Sequence, residues 1–264
     1  MTAARSAGAF TDQAAGVAAA VWSALATVRD PELDDPLTEL GFVSHHEVTA
    51  EGEAVVRLRL PTYFCAPNFA YLMVADSYDA VSAVPGVTKA DVRLEDHFAA
   101  DAINTGVAAR AGFVESFRGE AAAELDELRA DFLRKAVLAG TDRVCRALVA
   151  SGVDQSRLAH LTLADAPEGP DLWRLIDRRH ELGLPCRDSD ALIVDPATGE
   201  AVQPDALRMH LGLARATRVS QEANSGVCRG MLAVRYPGIG THSSTANEAA
   251  TDAERERDQR TNQH

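Results

Sequence analysis

Cys65 is the residue whose position points most directly to chemistry. It stands in Pro61-Thr62-Tyr63-Phe64-Cys65-Ala66-Pro67, at what reads as a strand-to-helix turn. A cysteine there lies near the first free N–H groups of the helix, and those donors together with the helix dipole favour a thiolate. A thiolate binds a soft metal or attacks an electrophile. The plain alternative is a buried cysteine acting as a small hydrophobe. His97, in Glu95-Asp96-His97, is the second candidate, because imidazole and carboxylate both ligate iron. It falls in the loop after a third strand, where it could share a sheet end with Cys65; lone loop histidines are mostly surface residues. Asp30, Glu32, Asp34 and Asp35 crowd one turn. A cluster like this after a helix reads as a solvated turn, and a functional reading would set one carboxylate near Cys65. His45 and His46 are neighbours on a strand and point to opposite faces, so they read as surface. Cys145, Cys186, Cys228 and His180 show no ligand spacing, and Trp173 and Leu175 read as core.

The elements that position these residues can be read from periodicity. Val17, Val21, Leu25 and Val28 recur at helical spacing with Trp22 beside them, and the helix must stop at Asp30-Pro31, since the residue before proline avoids the α region. Val43 to Val48 and Ala54 to Leu60 read as strands of a hairpin, with Gly52 in the turn. In the second, Val56, Leu58 and Leu60 share one face and Val55, Arg57 and Arg59 the wetter one. Pro67 suits the first turn of a helix carrying Phe69, Leu72, Met73, Val81 and Val84. Pro85-Gly86 then turns the chain into a third strand, Val87 to Leu94. The order α-β-β-α-β predicts an α+β fold, a small mixed sheet covered by helices. Beyond it the sequence predicts helices over 121–139, 142–150, 171–182, 207–216 and 221–234, with a small hairpin about 195–199. The expected division is an arm over 1–12, an α/β domain over 13–107, a mainly helical region over 108–236 and a disordered tail over 237–264.

Asp30-Pro31-Glu32, Leu40-Gly41-Phe42-Val43, Leu60-Pro61-Thr62, Cys65 with Pro67, Val84-Pro85-Gly86-Val87 and Val92-Arg93-Leu94 occur in the order and spacing of the PaaD/SufT-like iron–sulfur assembly family. The resemblance spans roughly residues 15–107. It implies a protein that helps load iron–sulfur or related iron centres into clients. It further implies that Asp30 and Glu32 belong to the family's acidic turn, that Thr62 matches its threonine, and that Cys65 matches its cysteine, a proposed ligand of transiently bound iron or an iron–sulfur cluster. The family usually has glycine before the cysteine and proline directly after it; Phe64 and Ala66 stand there in this chain.

The formal charge of −13 and the lack of a Lys/Arg face argue against nucleic acid and anionic membrane as partners. No apolar run approaches the ~18–20 residues of a membrane span, and the first sixteen residues lack the order of a secretion signal, so a cytoplasmic address is expected. Four cysteines with no C-x-x-C suit a reducing compartment. The chain has no G-x-x-x-x-G-K-[ST], no G-x-G-x-x-G, no paired Glu-x-x-His and no G-x-S-x-G. The resemblance implies a non-enzymatic assembly factor, with Cys65 as transient ligand and His97 as a candidate second one. One thiolate cannot fill an iron coordination sphere, so a homodimer partner, an apo-client metalloprotein or a small thiol must complete it. The long helical extension resembles that of family members that look like accessory proteins of multicomponent oxygenases, and this resemblance implies a di-iron monooxygenase component as an alternative client. The alternatives are a thiol enzyme with Cys65 as nucleophile and His97 as base, or a docking module without metal.

Overall fold

The computed structural model describes residues 3–237, with side chains from 14 onward. Helix α1 (Ala3–Leu25) precedes a one-turn helix α2 (Leu37–Leu40), strands β1 (Val43–Val48) and β2 (Glu53–Arg59), helix α3 (Pro67–Ser82) and strand β3 (Lys89–Glu95). The expected α-β-β-α-β order is therefore present. β1 and β2 pair antiparallel, β2 and β3 pair parallel, and the sheet order is β1-β2-β3. The segment expected to be an arm over 1–12 is helical from Ala3, as α1 runs further toward the N-terminus than its apolar stripe. The tail expected over 237–264 lies outside the described residues from 238 on.

Alternation in β2 does what a half-buried strand requires. Ala54, Val56 and Leu58 are buried, while Arg57 and Arg59 face the other side. There Arg57 pairs with Asp91 at 2.8 Å and Arg59 with Glu95 at 2.9 Å, so cross-strand ion pairs cover the wet face. Val21 and Leu25 from α1, Val28 just beyond it, and Ala70, Met73, Val74 and Val81 from α3 close the apolar face. Gly52 sits at φ 83°, and a Cβ there would strike the Gly86 carbonyl, so the hairpin turn and the entry to β3 are locked together.

Helices α4 (Ala100–Ala108) and α5 (Phe113–Ser116) follow; Ile103 and Val107 of α4 join the same core. Next comes α6 (Asp126–Ala150), two 3-10 turns (Gln155–His160 and Leu163–Asp165), α7 (Pro170–Glu181) and α8 (Leu207–Arg235). A second core holds Val144, Cys145 and Leu148 of α6, Leu172 and Leu175 of α7, and Leu207 and Leu211 of α8. Two pairs of expected helices are each one long helix. Gly140 does not break α6, because it is where Leu175 presses close: a Cβ would lie 3.3 Å from its Cδ1. α8 runs straight through Arg218, which is buried against Asp142 of α6 with Nε donating at 2.5 Å. The hairpin at 195–199 is reduced to a turn and a single bridge, Val194 to Ala201. Leu175 is core as expected, whereas Trp173 is exposed.

Candidate functional site

Leu60 is buried and anchors the end of β2; Pro61 then stops the ladder. The chain crosses the sheet end as the Thr62–Ala66 loop, and Pro67 takes the first helical position of α3 with Ala66 as its N-cap. Cys65 thus stands one residue outside the helix. Thr62 Oγ1 lies 3.3 Å from Cys65 Sγ, the hydrogen-bond partner of this thiol among the described residues. Phe64, beside the half-buried thiol, is 77 % exposed, and Tyr63 and Phe98 are also exposed. The three rings pack together, with centroids 5.0 Å (Tyr63–Phe64) and 5.9 Å (Phe64–Phe98) apart.

His97 reaches the Cys65 loop, as its place after β3 suggested, and it does so through the backbone. Its Nδ1 accepts from the Ala99 N–H at 3.2 Å, which leaves the proton on Nε2 to donate to the Cys65 carbonyl at 2.7 Å. The Phe98 N–H donates to the Tyr63 carbonyl at 3.2 Å. Two bonds therefore stitch the loop after β3 to the cysteine loop. The imidazole is buried, and burial holds its pKa below the ordinary histidine value, with the Arg235 charge adding to the effect. A ligand role would require it to give up one of these backbone bonds.

The acidic turn corrects the solvated reading. Asp30 and Asp34 are buried, Asp34 to 4 % exposure. Asp30 Oδ1 accepts from the Glu32 and Leu33 N–H groups, both at 2.9 Å, closing the turn on itself. Burial raises its carboxyl to about 6 in spite of those bonds. Asp34, at φ 55°, turns its carboxylate into the helical region, where Arg174 Nε donates at 2.6 Å and Arg178 Nε at 2.8 Å. Ser225 donates to Asp35 at 2.6 Å, and Gln221 to the Glu32 carbonyl at 3.1 Å. Asp34 is buried and Asp35 half-buried because α7 and α8 supply their counter-charges and donors, whereas the Glu32 side chain is exposed.

Sequence reasoning missed one feature and set aside another that the fold brings to this region. Arg174 and Arg178 repeat at four residues on α7, a spacing that places both on one face toward a single acceptor. Cys228 of α8 packs against the same core as Cys65. The other thiols differ. Cys145 is buried in the second core with its pKa pushed up to about 12 by burial, and Cys186 lies in the loop after α7. Among the described residues, no group of three or more His, Cys, Asp or Glu side chains is placed to hold a metal ion. No described helix is long and apolar enough to cross a membrane.

No curated protein and no solved structure matches the chain. A family model described as "Iron-sulfur cluster assembly protein" matches residues 18–92, the stretch that runs from α1 to within β3 and contains the acidic turn, Thr62 and Cys65. Residues 18–92 are accordingly an iron–sulfur cluster assembly domain of the PaaD/SufT-like kind, borne on a chain whose C-terminal helical region lies outside the match.

Proposed function

We propose that this protein is a non-catalytic assembly factor that holds iron or an iron–sulfur cluster briefly at Cys65 and passes it to an apo-client metalloprotein. The family match supports a part in iron–sulfur cluster assembly. The observation that carries the finer reading is the Cys65 loop, where a half-buried thiol lies beside exposed aromatic rings on a loop pinned from behind by His97. Iron is cargo here. The described donors fit a partial shell only, and a cargo ligand needs no more, since a closed shell would hold the metal rather than release it. The exposed rings offer an apolar landing surface for the client beside the thiol. His97 serves this reading as a positioning residue that fixes the Cys65 carbonyl. A nucleophile–base pair is less well served, because both imidazole nitrogens are engaged by backbone groups.

Anaerobic reconstitution with ferrous iron and sulfide tests the proposal. Wild type is expected to retain iron through desalting and Cys65→Ser to lose it. Equal iron on both chains, or none on either, contradicts the carrier reading.

A further inference from the structure

Helix α8 is seated along one side. Gln221 donates to the Glu32 carbonyl and Ser225 to the Asp35 carboxylate, Cys228 and Leu232 pack on the first core, and Arg235 Nη1 donates to the Leu60 carbonyl at 3.0 Å. The opposite side is unlike a solvated helix face. Of the eleven large apolar side chains exposed among the described residues, six lie on it: Met209, Leu213, Val219, Val227, Met231 and Val234. Their spacing gathers them on one arc, wide enough to be the face a helix turns to a core. Small residues stand between them. Gly212, Gly226 and Gly230 are costly inside a helix, and a Cβ on any of them would meet nothing within 4 Å, so packing among the described residues gives no reason for them.

The exposed charges of α8 are confined to one edge of this arc, where Arg208, Arg215, Glu222 and Arg229 recur at every seventh residue. Glu222 is already held by Arg218, and Arg229 lies 3.8 Å from Asp35. Arg208 and Arg215 have no carboxylate partner among the described residues, although the chain carries a formal charge of −13. The edge is therefore basic. We propose that this face of α8 docks an acidic amphipathic helix of a partner protein, with the partner's apolar stripe on Met209 to Val234 and its Asp or Glu residues along the arginine edge. Charge selects that occupant over a second copy of the chain. An antiparallel second α8 sets the basic edge against itself, and a parallel one offers it only uncharged neighbours such as Thr217 and Asn224. At its far end the face runs into the groove that Val227, Met231 and Val234 form with Pro61 and Thr62, so a docked helix leads to the Cys65 loop. Identifying the partner as the client rests on the carrier reading, whereas the docking itself does not.

Two labelled synthetic helices with the same leucine stripe, one flanked by glutamates and one by lysines, test the surface by fluorescence anisotropy against the full chain without iron. The glutamate-flanked probe is expected to bind about tenfold more tightly at low salt, with the ratio shrinking at high salt. Arg208→Ala with Arg215→Ala should abolish that preference, and Leu213→Glu or Val227→Glu should abolish binding of both probes. Far-UV circular dichroism checks that these exposed-site variants stay folded. Cys65→Ser should bind as wild type does, so a failure here leaves the carrier reading standing. Equal affinity for the two probes, or none for either, overturns the proposal. So does a wild-type dimer in light scattering that Val227→Glu dissociates, since a second copy would then be the occupant.

Discussion

Two loops of the assembly domain have met opposite fates. The acidic turn from Asp30 to Asp35 is closed at three of its four carboxylates: Asp30 is capped by its own backbone and Asp34 and Asp35 are held by Arg174, Arg178 and Ser225, while Glu32 is exposed. The Cys65 loop is open, with its thiol half-buried and the adjoining rings in solvent. Both loops carry polar groups, and the difference lies in what covers them. α7 and α8 bring arginines and hydrogen-bond donors to the acidic turn. Beside the cysteine loop α8 instead leaves a groove of ≈ 520 Å³, lined by Thr62, Val227, Gly230, Met231 and Val234 among others. The helical region uses one loop as its anchor and leaves the rings of the other exposed.

The sharpest way to break this contrast is to remove the anchor. Asp34→Ala leaves the Arg174 and Arg178 guanidiniums without their carboxylate in a buried setting, and a loss of about 3–5 kcal/mol in denaturant unfolding is expected. An effect below 1 kcal/mol would mean that the turn is not an anchor.

Asp30 allows a test with the opposite sign. Folding raises its carboxyl to about 6, so its contribution is fully present below the unfolded value of 3.8 and is lost as pH rises through about 6. Asp30→Asn keeps an oxygen for the Glu32 and Leu33 N–H groups and removes the buried charge. The variant should gain about 1–3 kcal/mol over wild type at pH 8 and nothing at pH 4, measured by urea unfolding at each pH.

On the open loop the effects are smaller. His97→Ala removes two hydrogen bonds, with an expected cost of about 1–2 kcal/mol at pH 7.5 and faster amide exchange at Phe98. The lowered pKa of His97 means that its contribution is present above pH 6.5 and is lost as pH falls toward its folded value. The gap between wild type and variant should therefore narrow on acidification. Phe64→Ser should shift stability by no more than ~0.5 kcal/mol, as befits an exposed ring, yet slow transfer of iron to a client.

Much of the assembly domain was legible because its signals are local. Pro67 marks the first turn of α3, alternation marks β2, and Gly52 marks the hairpin. The cysteine loop and the arrival of His97 beside it followed from the β-α-β order. The fate of the acidic turn was not legible, since nothing near Asp34 announces that arginines about 140 residues downstream will neutralise it. The division of α6 between 139 and 142 fell at Gly140, a glycine that leaves room for Leu175 inside a continuous helix. Cys228 stayed hidden among spacings that mean nothing until α8 is known to lie on the assembly domain. Its seam, Gln221-Ser225-Cys228-Leu232, was the available signal, and dividing the helix before Gln221 separated that face from the core-forming half of α8.

The central claim is that Cys65 is the cargo-holding thiol of the open loop. The direct measurement is anaerobic alkylation of the full wild-type chain with and without ferrous iron, followed cysteine by cysteine in a mass spectrometer. Iron should protect Cys65 strongly, while Cys145 stays unreactive in both conditions because it is buried. Alkylation of Cys65 at the same rate with and without iron would contradict the account.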